Sequence, residues 1–137
     1  MANGPPIAFA SDRDGEEEIY TMRSDGTYVR QLTAHWAWAN SPAWSPDGTR
    51  IAFASNRDGD LEIYVMRSDG TDVRQLTDGV GQRTIGRSPA WSPDGTRIAF
   101  ESWDLRPRRI YTMWPDGRDL RPLTMNDASG EDPAWSP

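Results

Sequence analysis

Ser41 to Arg50 reads S-P-A-W-S-P-D-G-T-R, and the same letters return at Ser88 to Arg97. They begin again at Asp132 and run to Pro137 as D-P-A-W-S-P. The residues between these copies repeat as well. Ile7 to Thr33 aligns with Ile51 to Thr77 at a spacing of 44, and only five positions differ: Asp12/Asn56, Glu16/Asp60, Glu17/Leu61, Thr21/Val65 and Tyr28/Asp72. A third copy starts at Ile98, a spacing of 47, with the three extra residues between Thr77 and Ser88. A period of about 40–45 residues is that of a four-strand propeller blade.

One copy yields the strands. Pro42 to Ser45 predicts a short first strand, followed by a turn with Asp47-Gly48 at its centre. Arg50 to Ser55 alternates Ile51 and Phe53 against Ala52 and Ala54, which is strand periodicity. Leu61 to Arg67 predicts a third strand, Ser68 to Thr71 a second tight turn, and Val73 to Thr77 a fourth strand. No segment carries a useful helical stripe. The second strand is apolar on both faces, large on one and alanine on the other. That pattern suits a sheet stacked between two other sheets, as in an all-β propeller. Trp44, Trp91 and Trp135 recur at one blade position, where aromatic bulk would fill the space between blades.

The combined motif P-x-W-S-P-D-G-x-x-I-A-F, S-x-R-D-G, I-Y and S-D-G-T-x-x-x-x-L-T resembles the TolB-like propeller repeat over nearly the whole chain. There is no Gly-His pair and no Trp-Asp ending, so the ordinary WD repeat is a poorer match. The resemblance implies a six-bladed β-propeller, related to those that cap prolyl oligopeptidase-type enzymes, and a periplasmic or extracytoplasmic setting. The family's N-terminal α/β domain is not seen in this chain. No signal peptide is expected either, since Met1 to Pro6 has neither a basic nor an apolar region.

Blade counting shapes the next expectation. Residues 1–137 read as a half-ring of three four-stranded blades. Blade 1 has three strands over 7–33, blade 2 covers 41–77, and blade 3 covers 88–124. Residues 132–136 form a lone first strand. Closed rings use about 4–8 blades, and repeat arrays do not leave terminal faces wet without caps. The economical expectation is a homodimer, in which the strand at 132–136 of one copy completes blade 1 of the other. Asn3-Gly4 falls where Asp47-Gly48 sits, so each break would lie in a turn.

Composition excludes some roles. The net charge is −6, all fifteen positive residues are arginine, and acids alternate with them, so a phosphate-tracking surface and a nucleic-acid partner are not expected. No apolar run approaches the 18–20 residues or so that span a bilayer, so no membrane role is expected. Without cysteine there are no disulfides or thiolate metal sites.

Candidate functional residues lie in the loops that vary between copies, which share one rim. Loops on a rigid scaffold are where binding concentrates. His35, Trp36 and Trp38 could stack on a sugar or anchor a peptide, or fold back as local packing. Trp103, Arg106, Arg108 and Arg109 form a second cluster that could accept a carboxylate, and Arg83 and Arg87 are further candidate ligand-binding residues. The plainer alternative for the arginines is pairing with nearby acids such as Glu101. Asp12 and Asp14, with Asp58 and Asp60, resemble fragments of a calcium loop but lack its full ligand set. A plain turn is the simpler reading, with a divalent cation such as calcium as the alternative; no other cofactor is expected. Catalysis is not expected, because His35 is the only histidine and no G-x-S-x-G elbow occurs. The expected role is a non-catalytic binding scaffold that self-assembles and offers its variable rim to a protein or carbohydrate. The alternatives are a repeat-amplified or engineered structural propeller without a dedicated ligand, and an accessory propeller of a hydrolase.

Overall fold

Alternating large and small apolar residues do form strands here. In a computed structural model of the protein, residues 4–34, 37–78, 86–102, 108–124 and 130–137 are described. They contain strands and no helix. The strands are β1 (Ile7–Ser11), β2 (Glu18–Met22), β3 (Arg30–Gln31), β4 (Ala39–Trp44), β5 (Arg50–Ser55), β6 (Glu62–Arg67), β7 (Arg74–Gln75), β8 (Gly86–Trp91), β9 (Ile98–Ser102), β10 (Arg109–Met113) and β11 (Arg121–Pro122). They make three antiparallel meanders: β1-β2-β3, β4-β5-β6-β7, and β8-β9-β10-β11. These are blades 1, 2 and 3, and blade 1 has no first strand among the described residues.

The core lies between blades. Ile51, Phe53, Tyr64 and Met66 of blade 2 cluster with Ile19 of blade 1, and Trp44, Leu32, Ala8 and Ala10 pack against them. Ala52, Ala54 and Ile63 on the other side of blade 2 cluster with Ile98, Phe100, Tyr111 and Met113 of blade 3, against which Trp91 packs. Alanine on one face and large residues on the other therefore let neighbouring blades interdigitate. Ile51, Ala52, Phe53 and Ala54 are all fully buried, as a sheet covered on both sides requires.

Three details depart from the sequence expectation. The first strand of blade 2 starts at Ala39 rather than Pro42, because a bulge lets it continue through Ser41 and Pro42. Ser41 has φ 53° and the equivalent Ser88 has φ 49°, so the bulge recurs in blade 3. The fourth strand pairs only at Arg74–Gln75, because the chain then turns inward at Thr77. Its Oγ1 accepts from the Ile63 amide at 2.9 Å and donates to Glu62. Lastly, residues 132–136 form no strand, and no strand among the described residues pairs with them. They still follow a first-strand path. Asp132 takes the same left-handed turn as Ser41 and Ser88, at φ 46°, and the Trp135 indole donates to the Ala90 carbonyl at 2.9 Å.

Candidate functional site

Turn chemistry separates the two rims. Asp47 Oδ1 accepts from the Ser45 hydroxyl (2.6 Å), the Thr49 amide (3.0 Å) and the Thr49 hydroxyl (2.8 Å). Those bonds hold its carboxyl at about 2, and Asp94 in the matching turn is held at about 2 in the same way. The Ser68 amide donates to the Thr49 carbonyl at 3.0 Å, which ties the two tight turns of blade 2 to one rim. The described parts of the variable loops lie on the opposite rim. There the Ala39 amide donates to Glu17 at 2.8 Å and the Asn56 amide to Trp38 at 3.2 Å.

On the variable rim several expected site residues have structural partners. Asp14 accepts from the Tyr20 hydroxyl at 2.7 Å, and Asp58 from Tyr64 at 2.6 Å. The bond to Asp14 raises the Tyr20 pKa, while burial and the bond to Asp58 push Tyr64 well up. The arginine of each R-D-G loop caps the aromatic pair beneath it. Arg57 lies 5.3 Å from the Phe53 ring and 5.1 Å from Tyr64, and Arg13 sits equivalently over Phe9 and Tyr20. Asp12 and Asp60 are exposed in these loops. Among the described residues no three His, Cys, Asp or Glu side chains gather as a metal site would require.

Trp38 is half-buried, and its amide donates to Asn56 Oδ1 at 2.9 Å, so this part of the tryptophan stretch is pinned to the loop of blade 2. Arg108 pairs with Glu101 at 3.7 Å and with Glu131. Arg87 is half-buried in β8. His35, Trp36, Arg83, Trp103 and Arg106 lie outside the described residues.

Sequence reading missed a crevice on the invariant rim. It has a volume of about 310 Å³ and lies between residues 45–50 of blade 2 and 91–95 of blade 3, with Pro115 at one side. All its lining residues but Pro115 belong to the repeated S-P-A-W-S-P-D-G-T-R stretch, so repetition disguised it as folding signal alone. The Arg50 side chain makes no hydrogen bond or ion pair among the described residues, although its charge helps lower the pKa of Asp72. The matching Arg97 binds Asp119 and Thr112. The indole N–H of Trp91 is buried without a partner among the described residues.

Stacked antiparallel meanders, two of them with a bulged first strand and each sharing a core with its neighbour, define a β-propeller. This chain belongs to the TolB beta propeller domain family, whose model matches residues 2–137. It is similar to a TolB-type protein of Agrobacterium tumefaciens, with a TM-score of 0.80 and 29% identity over 88% of this chain and 46% of that one. TolB from Acinetobacter baumannii shares the fold, with a TM-score of 0.74 and 22% identity over 92% of this chain and 32% of that one. A protein TolB homolog of Chlorobium luteolum is 47% identical over 47 residues, 34% of this chain and 11% of the relative. The chain therefore spans less than half the length of each.

Proposed function

We propose that this chain is a non-catalytic propeller module that closes a six-bladed ring with a second copy of itself and offers its variable rim to a protein or small ligand. One observation carries the pairing: the two outer blades hold opposite halves of a junction that is complete elsewhere. In the complete junctions, the turn glycine of one blade meets the fourth strand of the blade before it. A Cβ on Gly70 would stand 2.8 Å from the Leu32 carbonyl, and one on Gly117 2.5 Å from Leu76. A Cβ on the matching Gly26 would meet nothing within 4 Å among the described residues, and the matching Leu123 is 57% exposed. Likewise Ile7 is 41% exposed, whereas Ile51 and Ile98 are fully buried. Joining Gly26 and Ile7 of one copy to Leu123 of another, twice over, would complete both junctions by two-fold symmetry.

Light scattering tests this. The expected mass is twice the 15.4 kDa of one chain. Leu123→Glu alters a side chain the single chain leaves exposed, so it should halve the mass without unfolding the protein. A folded wild-type monomer would defeat the pairing. The binding role is tested apart from it, by pull-down with wild type and Trp38→Ala. A saturable partner lost in the variant supports use of the variable rim, and a partner unaffected by the variant argues against it. A hydrolase substrate screen should show no turnover.

A further inference from the structure

We infer that the crevice between blades 2 and 3 binds a neutral pyranose sugar. It lies on the rim opposite the variable loops, so this inference does not depend on them. Arg50 brings a guanidinium whose donors are unspent among the described residues. Asp47 and Asp94 bring carboxylates held ionised by their own turns. Each commits Oδ1 to the turn, and Oδ2 makes no hydrogen bond among the described residues. Trp91, Pro46 and Pro115 supply apolar wall.

Charge decides the class of ligand. An anion would gain Arg50 but face two carboxylates, and a cation would gain the carboxylates but face Arg50. A polyhydroxylated ring donates to the carboxylates, accepts from the guanidinium, and lays its C–H face on tryptophan or proline. At about 310 Å³ the crevice is at the lower end of small-molecule sites and has room for one or two such rings. Ser45 and Thr49 are occupied in holding the turn, so they shape the site rather than contact the ligand.

The experiment is saturation-transfer NMR on the full chain with the methyl pyranosides of glucose, galactose, mannose and N-acetylglucosamine, and with glucuronate and glucosamine as charged comparisons. At least one neutral probe should bind with a Kd on the order of millimolar. Arg50→Met and Asp94→Asn should each weaken it roughly tenfold, the cost of one lost charge-assisted hydrogen bond. Neither change should unfold the protein: Arg50 has no side-chain hydrogen bond to lose, and asparagine keeps the Oδ1 acceptor. Trp38→Ala, on the other rim, should leave the affinity unchanged. Absence of binding by every neutral probe would overturn the assignment. So would wild-type affinity in both crevice variants, tighter binding of either charged sugar, or loss of binding in Trp38→Ala.

Discussion

Gly117 shows how little room single positions have at a blade junction. Its φ is +88°, and a Cβ there would meet the Leu76 carbonyl at 2.5 Å. Gly117→Ala therefore combines left-handed strain, about 1–2 kcal/mol for an L residue, with a backbone clash. We expect a loss of at least about 2 kcal/mol in chemical denaturation. The turn aspartates make an acid prediction. Asp47 and Asp94 sit at about 2, below the ordinary value near 3.8. A carboxyl depressed in the folded state contributes stability above its unfolded pKa, and that contribution is lost as pH falls through the folded one. These turns should thus be insensitive to pH above about 5 and weaken between about 4 and 2. Asp47→Asn should flatten that part of a stability-against-pH curve.

At the scale of the strand, each of the first two blades hides a carboxylate behind a threonine. Thr77 Oγ1 accepts from the Ile63 amide and donates to Glu62, and Thr33 does the same for Ile19 and Glu18. Blade 3 has Arg109 where the others have glutamate, yet Thr124 still accepts from the Ile110 amide at 3.0 Å. The amide bond is thus the shared element, and the carboxylate an addition in two blades. Thr77→Val keeps the shape but strands the buried Ile63 N–H and takes one hydrogen bond from the buried Glu62 carboxylate. We expect a loss of about 1–3 kcal/mol, whereas Thr124→Val should cost less; thermal unfolding of the two variants compares them directly. The strand pattern was legible because alternating Ile-Ala-Phe-Ala matches a sheet buried on both faces. The extension of β4 to Ala39 was not, because nothing in Asn40-Ser41-Pro42 announces a bulge with a non-glycine residue at positive φ.

For the whole molecule, the two outer blade faces dominate. Ile7, Tyr28, Leu123 and Trp135 are exposed apolar side chains on blade 1, on blade 3 and in the segment after it. Such exposure marks association surfaces in soluble proteins. If a second copy covers them, thermal stability should rise with protein concentration. A scan from micromolar to near-millimolar chain should move Tm upward in wild type and leave it fixed in Leu123→Glu. Of the candidate site, the variable rim was legible as sequence variation between copies. The Glu101 partner of Arg108 was legible as a nearby acid; its Glu131 partner and the tyrosine partners of Asp14 and Asp58 were not, since each lies across a loop or between strands.

The repeat by itself determined the class of fold, the number of blades and the packing role of Trp44 and Trp91. A period of 44 residues with alternating apolar positions leaves few other ways to bury both faces of a sheet. Only the tertiary structure decided which copies of a repeated residue are occupied. Arg97 is tied to Asp119 while the matching Arg50 makes no side-chain hydrogen bond or ion pair among the described residues, and the turn at Gly117 has a close neighbour while the one at Gly26 has none among them. Identical letters carry no information about which neighbour they meet, because that depends on where each blade stands in the stack.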